Sequence, residues 1–361
     1  MAREQTVFSE LAVGAAINND LIESIVNVDD DALRKYEAEK NRRLQDKDAK
    51  KNNSETTLKK AGYLVRDWLR NSKKLTSYSV EWAGMDATKD GSPVAKDLII
   101  RPANIRISVK ENAQLFQNPS PVQVFDKWPR GVLFTNAKDE DWFLKVAKKE
   151  LNDYFLACDG ALFTGQPSIE DYYKNVKGHS SVGAKKIKNR KAFTEHVASL
   201  HKNKTPDALE AYKAFCDRVS KESAAIFNQN ISSTFPDFQS KDCDIDLLTN
   251  LFSVFFKLDR TEYILAGTED DKEFAVLMGD IDTWRQTFSI KEIMAEPISA
   301  GQPEVLIGFT FIEATTNRVF TFSIKCEVRW SHGKFCGNPE SKLYKYNHWK
   351  YKELPWAMMI Q

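Results

Sequence analysis

An acid and a lysine that bound two neighbouring β-rich runs have the chemistry to hold a divalent cation and activate water beside a phosphate. The segment Lys96 to Asn112, KDLIIRPANIRISVKEN, carries that pattern. Its first run, Leu98–Arg101, opens on Asp97; its second, Ile105–Val109, closes on Lys110, and a Pro-Ala-Asn turn joins the two. Hydrolysis of a phosphodiester needs hard oxygen ligands for the ion and a cation to stabilise charge developing on the phosphate. Asp97 and Lys110 supply one of each, and the backbone carbonyl of Val109 offers another hard ligand.

Two strands that present these residues need a frame. Ser54 reads as the N-cap of a helix running to about Arg70, with Leu58, Ala61, Leu64, Val65 and Leu69 as its apolar stripe. Leu75–Trp82 alternates as a strand, with Tyr78, Val80 and Trp82 on one face. A Gly- and Asp-rich loop carrying Asp86 and Asp90 then leads into the Asp97 run. Beyond the NPSP breaker, the pattern predicts a helix over 139–155, mainly helical chain over 168–232, and strands from Tyr263 onward. The expected class is α/β.

The helix, the three strands and the acid–lysine pair together resemble the PD-(D/E)XK nuclease superfamily, the fold of many restriction endonucleases. There an acid on one strand is followed by an acid-x-lysine triplet on the next. Asp97 matches the first acid and Lys110 the lysine, but Ser108 stands where the second acid belongs. The resemblance implies that another element supplies the missing carboxylate. Glu55, at the start of the preceding helix, ranks first, then Glu81 and Glu111, with Asp86 and Asp90 free to approach from the loop.

The resemblance further implies a restriction-endonuclease-like mixed central sheet flanked by helices. It also implies Mg2+ as cofactor, double-stranded DNA as substrate and a homodimer, since cutting both strands takes two active sites. A restriction, anti-phage role is expected. On this reading residues 1–53 are a charged N-terminal helical arm and 54–160 the metal-dependent nuclease core. Residues 161–260 form a helical, locally basic region, and 261–361 a β-rich region that completes the core or reads DNA. The competing expectations are a non-catalytic nucleic-acid-binding or protein-interaction module, whose Asp97 and Lys110 form a surface ion pair, and an RNA-directed nuclease.

Composition bounds these alternatives. The 361 residues are 42% hydrophobic and 11% aromatic, enough for real cores, and the net charge of +1 makes any polyanion footprint a local matter. Residues 174–204 provide one, with nine Lys/Arg, among them Lys185, Lys186, Lys188, Arg190 and Lys191, against the single acid Glu195. Near the C-terminus Arg329, Trp330, His332 and Lys334 surround glycines in a second stretch suited to bases and phosphates. Cys326, His332 and Cys336 match no usual zinc spacing, and Ser323-Ile324-Lys325 repeats the Ser108-Val109-Lys110 triplet without a convincing acid one strand earlier. Phosphate-loop, dinucleotide, GxSxG and HExxH motifs are absent. Neither a signal peptide nor a bilayer-length apolar run is visible, and five scattered cysteines suit reduced thiols; a cytoplasmic protein is expected.

Overall fold

The computed structural model describes residues 2–46, 48, 53–84, 96–112, 115–133, 141–177, 188–238, 240, 243–299, 301–331, 333–347 and 349–361. The chain begins with helices α1 (Ala2–Ile17), α2 (Asp30–Leu44) and α3 (Ser54–Asn71), then strands β1 (Ser79–Trp82), β2 (Leu98–Arg101), β3 (Ile105–Lys110) and β4 (Leu115–Gln117). Helices α4 (Trp142–Ala157), α5 (Lys188–Lys202), α6 (Pro206–Thr234) and α7 (Ile245–Phe256) follow. The remainder is mainly strand: β5 (Tyr263–Glu269), β6 (Lys272–Met278), β7 (Phe288–Ser299), β8 (Pro303–Glu313), β9 (Val319–Trp330), β10 (Pro339–Lys345) and β11 (Ala357–Met359). The protein is mixed α/β. No helix among the described residues is long and apolar enough to cross a membrane.

Two compact units share the chain, and neither is continuous: the first takes Met1–Gln114, Phe252–Phe288 and His348–Gln361, the second Leu115–Leu251 and Ser289–Asn347. This replaces the expected division at 53, 160 and 260. The reason lies in strand pairing. In the first unit β1, β2 and β3 run antiparallel, and β5, more than 150 positions further along the sequence, pairs parallel with β3. Lys110 lies opposite Gly267 in that pairing. Strands β6 and β11 extend the sheet.

Residues 1–53 are no arm. Helix α1 buries Val7, Phe8, Leu11, Ala12, Val13, Ala15, Ala16 and Ile17 and shares one hydrophobic core with Leu58, Val65 and Trp68 of α3 and Leu98, Ile100, Ile107 and Val109 of the sheet. Helix packing this close demands Gly62, where a Cβ would stand 2.5 Å from the Val13 carbonyl oxygen. The charged α2 is tied in as well. Arg43, 7% exposed, donates to Glu39 at 2.7 Å, to Ser54 at 2.8 Å and to Glu111. Strand β1 begins four residues later than the sequence suggests, because the Leu75 amide still bonds back to the Leu69 carbonyl at the end of α3.

The second unit is an antiparallel sheet in the order β4-β10-β9-β8-β7, with Phe143 and Tyr154 of α4 and Phe215 of α6 in its core. Asp141 caps α4 by accepting from the Phe143 and Leu144 amides, two residues inside the predicted start. Trp330 and Phe335 join those rings, with Phe143 and Trp330 centroids 4.6 Å apart.

Candidate active site

Asp97 and Lys110 lie where the two-run pattern places them, at the mouth of β2 and the end of β3. Antiparallel pairing sets Leu98 opposite Ile107, so Asp97 falls beside Ser108. The Asp97 carboxylate is 6% exposed and accepts from the Val109 amide at 2.6 Å and the Ser108 hydroxyl at 3.2 Å. Ser108 and Lys110 point to the same side of β3, since alternate side chains share a face. Ser108 thus occupies the acid's position in the triplet and acts on the other acid, fixing its orientation. Val109 contributes its N–H to Asp97.

A further buried carboxylate lies on an element to which the sequence pattern assigned no chemistry. Glu10, near the middle of α1, is 6% exposed and accepts a 2.7 Å hydrogen bond from the indole nitrogen of Trp82 on β1. Its pKa is pushed up to about 8, first by burial and then by the charge of Asp97, with the Trp82 bond and Lys110 pulling the other way. Asp97 and Lys110 thus both act electrostatically on Glu10. A signal for Glu10 existed in the sequence: it is the one acid inside the otherwise apolar run VFSELAVGAA.

The three ranked acids are engaged elsewhere. Glu55 accepts from the Tyr36 hydroxyl at 2.7 Å and pairs with Lys59 at 3.3 Å and Lys40 at 3.6 Å. Burial raises its pKa, but these donors outweigh burial and hold the group below its usual range. Glu81 pairs with Arg101 at 2.7 Å on the neighbouring strand. Glu111 is held by Arg43 and by the Ser9 hydroxyl, 2.7 Å away on α1. Asp86 and Asp90 lie outside the described residues.

The close approach of β5 completes the geometry. A Cβ on Gly267 would stand 1.8 Å from the Lys110 carbonyl oxygen, and its φ of +148° is one L side chains rarely adopt. Only glycine lets the strand that carries Lys110 lie this close to its parallel neighbour. Among the described residues no group of three or more His, Cys, Asp or Glu converges. The donor set at the site is two carboxylates and one lysine.

The expected DNA contacts fare unevenly. Lys185, Lys186 and His332 lie outside the described residues, as do the side chains of Lys188, Arg190 and Lys191 on α5. Arg329 pairs with Glu340 at 3.0 Å across β9 and β10. Lys334 lies over the Tyr212 ring, 4.5 Å from its centroid, and burial lowers its pKa. In the repeat of the lysine triplet, Lys325 is paired with Glu304 at 3.0 Å and Glu327 at 3.2 Å. Cys326 is a buried thiol, and neither it nor Cys336 is in a disulfide. The chain matches no protein-family model, no curated protein and no solved structure.

Proposed function

We propose that the first unit is a Mg2+-dependent endonuclease of the restriction-endonuclease-like class, acting on the phosphodiester backbone of double-stranded DNA in a restriction, anti-phage role. One observation carries the reading: the buried Asp97 carboxylate at the mouth of β2 is held by the Ser108 hydroxyl and the Val109 amide, two and one positions before Lys110. The frame supports it, with a helix before three antiparallel strands and a fourth joined parallel to the one that bears the lysine.

The donor set fits Mg2+, which is commonly bound through one or two carboxylates with water and substrate phosphate completing its shell. Glu10 and Asp97 would hold it; burial and then the charge of Asp97 raise Glu10, and a bound cation would favour both carboxylates in their ionised form. When bound, the ion supplies polarisation of the phosphoryl oxygen and a more acidic attacking water. The chain's own residues do the rest. The Lys110 ammonium stabilises charge developing on the phosphate. The Val109 amide and Ser108 hydroxyl fix Asp97 in one rotamer, and Trp82 does the same for Glu10. One site per chain makes cutting of both strands the work of a homodimer.

The test is cleavage of supercoiled plasmid, phage DNA and single-stranded RNA in Mg2+ against EDTA, by wild type, Asp97→Ala, Lys110→Ala and Glu10→Gln. Metal-dependent cutting of DNA, reduced by roughly a hundredfold or more in each variant, is the expected result. Cutting that survives both Asp97→Ala and Lys110→Ala sinks the site. Binding without cutting of either polymer points to a non-catalytic module, and cutting of RNA alone to an RNA-directed enzyme.

A further inference from the structure

Lys110 is the last residue of β3, and the main chain just beyond it is held from two sides. Asn112, in the left-handed conformation with φ of 52°, donates its amide to the Thr268 hydroxyl at 2.9 Å. Thr268 is 6% exposed and follows Gly267, the residue that lies opposite Lys110 in the β3–β5 pairing. Glu111, between Lys110 and Asn112, accepts from both terminal nitrogens of Arg43 and from the Ser9 hydroxyl at 2.7 Å. Arg43 is itself fixed, with its guanidinium 4.2 Å from the centroid of the Phe8 ring and bonded to Glu39 and Ser54. Residues of α1, α2 and α3 thus meet around one carboxylate, next in sequence to the lysine of the site.

We propose that Glu111 and Thr268 are positioning residues for Lys110, acting through its main chain, a step that rests on the endonuclease reading. A lysine ends a flexible four-carbon stem, so its ammonium is only as well placed as the backbone it leaves. Side chains along a strand alternate in direction, so a hold on Glu111 also sets the direction in which Lys110 projects. Gly267 and Thr268 divide the work on the other side. The glycine admits β5 against the Lys110 carbonyl, and the threonine takes the amide that emerges two residues later. Neither Glu111 nor Thr268 touches the phosphate. Their loss displaces the lysine and leaves the binding surface in place, and a displacement of about 1 Å can cost on the order of a hundredfold in rate.

Cleavage kinetics of the full chain in Mg2+ test this. Thr268→Val puts a methyl where the hydroxyl stood and leaves the Asn112 amide without its acceptor. It should lower kcat by about ten- to a hundredfold with KM little changed, and Thr268→Ser should restore the rate. Glu111→Gln, which keeps an acceptor for Ser9 and Arg43, should lose less than Glu111→Ala. In a Lys110→Ala background Thr268→Val should cost nothing further, since the group it positions is gone. An equal fall in that background, or an unchanged kcat in a folded Thr268→Val, overturns the inference. Acetic anhydride labelling, read by mass spectrometry, needs no activity. Lys110 should label faster in Thr268→Val than in wild type or Thr268→Ser, while Lys352, on the same unit, labels alike in all three. Equal labelling of Lys110 in all three also overturns it. A wild type that leaves DNA uncut while Lys110 labelling shifts as expected removes the endonuclease reading and keeps the hold on the lysine.

Discussion

Glu10→Gln is the substitution that most directly probes the burial of an ionisable group on α1, and its effect does not depend on what the site does. The side chain is 6% exposed, donates nothing when ionised, and accepts from the Trp82 indole. Its pKa rises from 4.5 to about 8 on folding, so between those values the folded state binds a proton that the unfolded chain has released. Stability from this group is fully present below about pH 4.5 and is lost as pH rises to about 8. A shift of about 3.5 units at 1.36 kcal/mol each sets the upper size of that loss on the order of 5 kcal/mol. Glutamine keeps the acceptor for Trp82 and removes the titration. Relative to wild type, Glu10→Gln should therefore gain stability steadily across that window. Because the chain has two units, the readout must be local: amide hydrogen exchange in peptides spanning β2 and β3, with both proteins compared at each pH so that intrinsic exchange chemistry cancels. The runs are made in EDTA, so that no cation compensates Glu10. A wild-type-minus-variant difference that stays flat from pH 5 to pH 8 would refute the burial of an ionisable Glu10 that raises its pKa.

Other perturbations test the frame around the site. Gly267→Ala forces a methyl to within 1.8 Å of the Lys110 carbonyl oxygen; the β3–β5 pairing must open, and unit 1 should lose most of its exchange protection while β8 and β9 keep theirs. Arg43→Met leaves the buried Glu39 with Arg42 alone and releases Glu111, and should cost about 1–3 kcal/mol in unit 1, measured by the same exchange experiment. If Mg2+ is held by both carboxylates, millimolar Mg2+ should raise the melting temperature of wild type and leave Asp97→Ala and Glu10→Gln unmoved; a shift retained in both variants places the ion elsewhere.

The parts of the site that were legible in the sequence are those whose local pattern and tertiary role agree. β2 and β3 are β-branched runs that end on polar residues, and their boundaries fall within a residue of the pattern. The helix that carries Glu55 shows an ordinary apolar stripe, so its position was readable, but the partners of its acid were not. Tyr36, which binds Glu55, comes from a helix whose charge density reads as solvent-exposed. That density is in fact neutralised internally: Glu39 is 1% exposed because Arg42 and Arg43 both donate to it. Sequence charge alone cannot separate a solvated face from an internally paired one.

Glu10 was hidden for the opposite reason. Helix α1 is buried on nearly every side, against α3 and the sheet, so it lacks the polar stripe that marks an amphipathic helix. The partner of Glu10, Trp82 of β1, lies 72 positions away, a contact with no local signature. What remains in the sequence is an ionisable residue alone in an apolar run, which folding tolerates only with a compensating partner. The acid absent from position 108 and the unexplained acid at position 10 are then two halves of one observation. Ser108, 2% exposed, fills that strand position with a hydroxyl that donates to Asp97. The buried carboxylate on α1 is held by Trp82 of β1 rather than by β3.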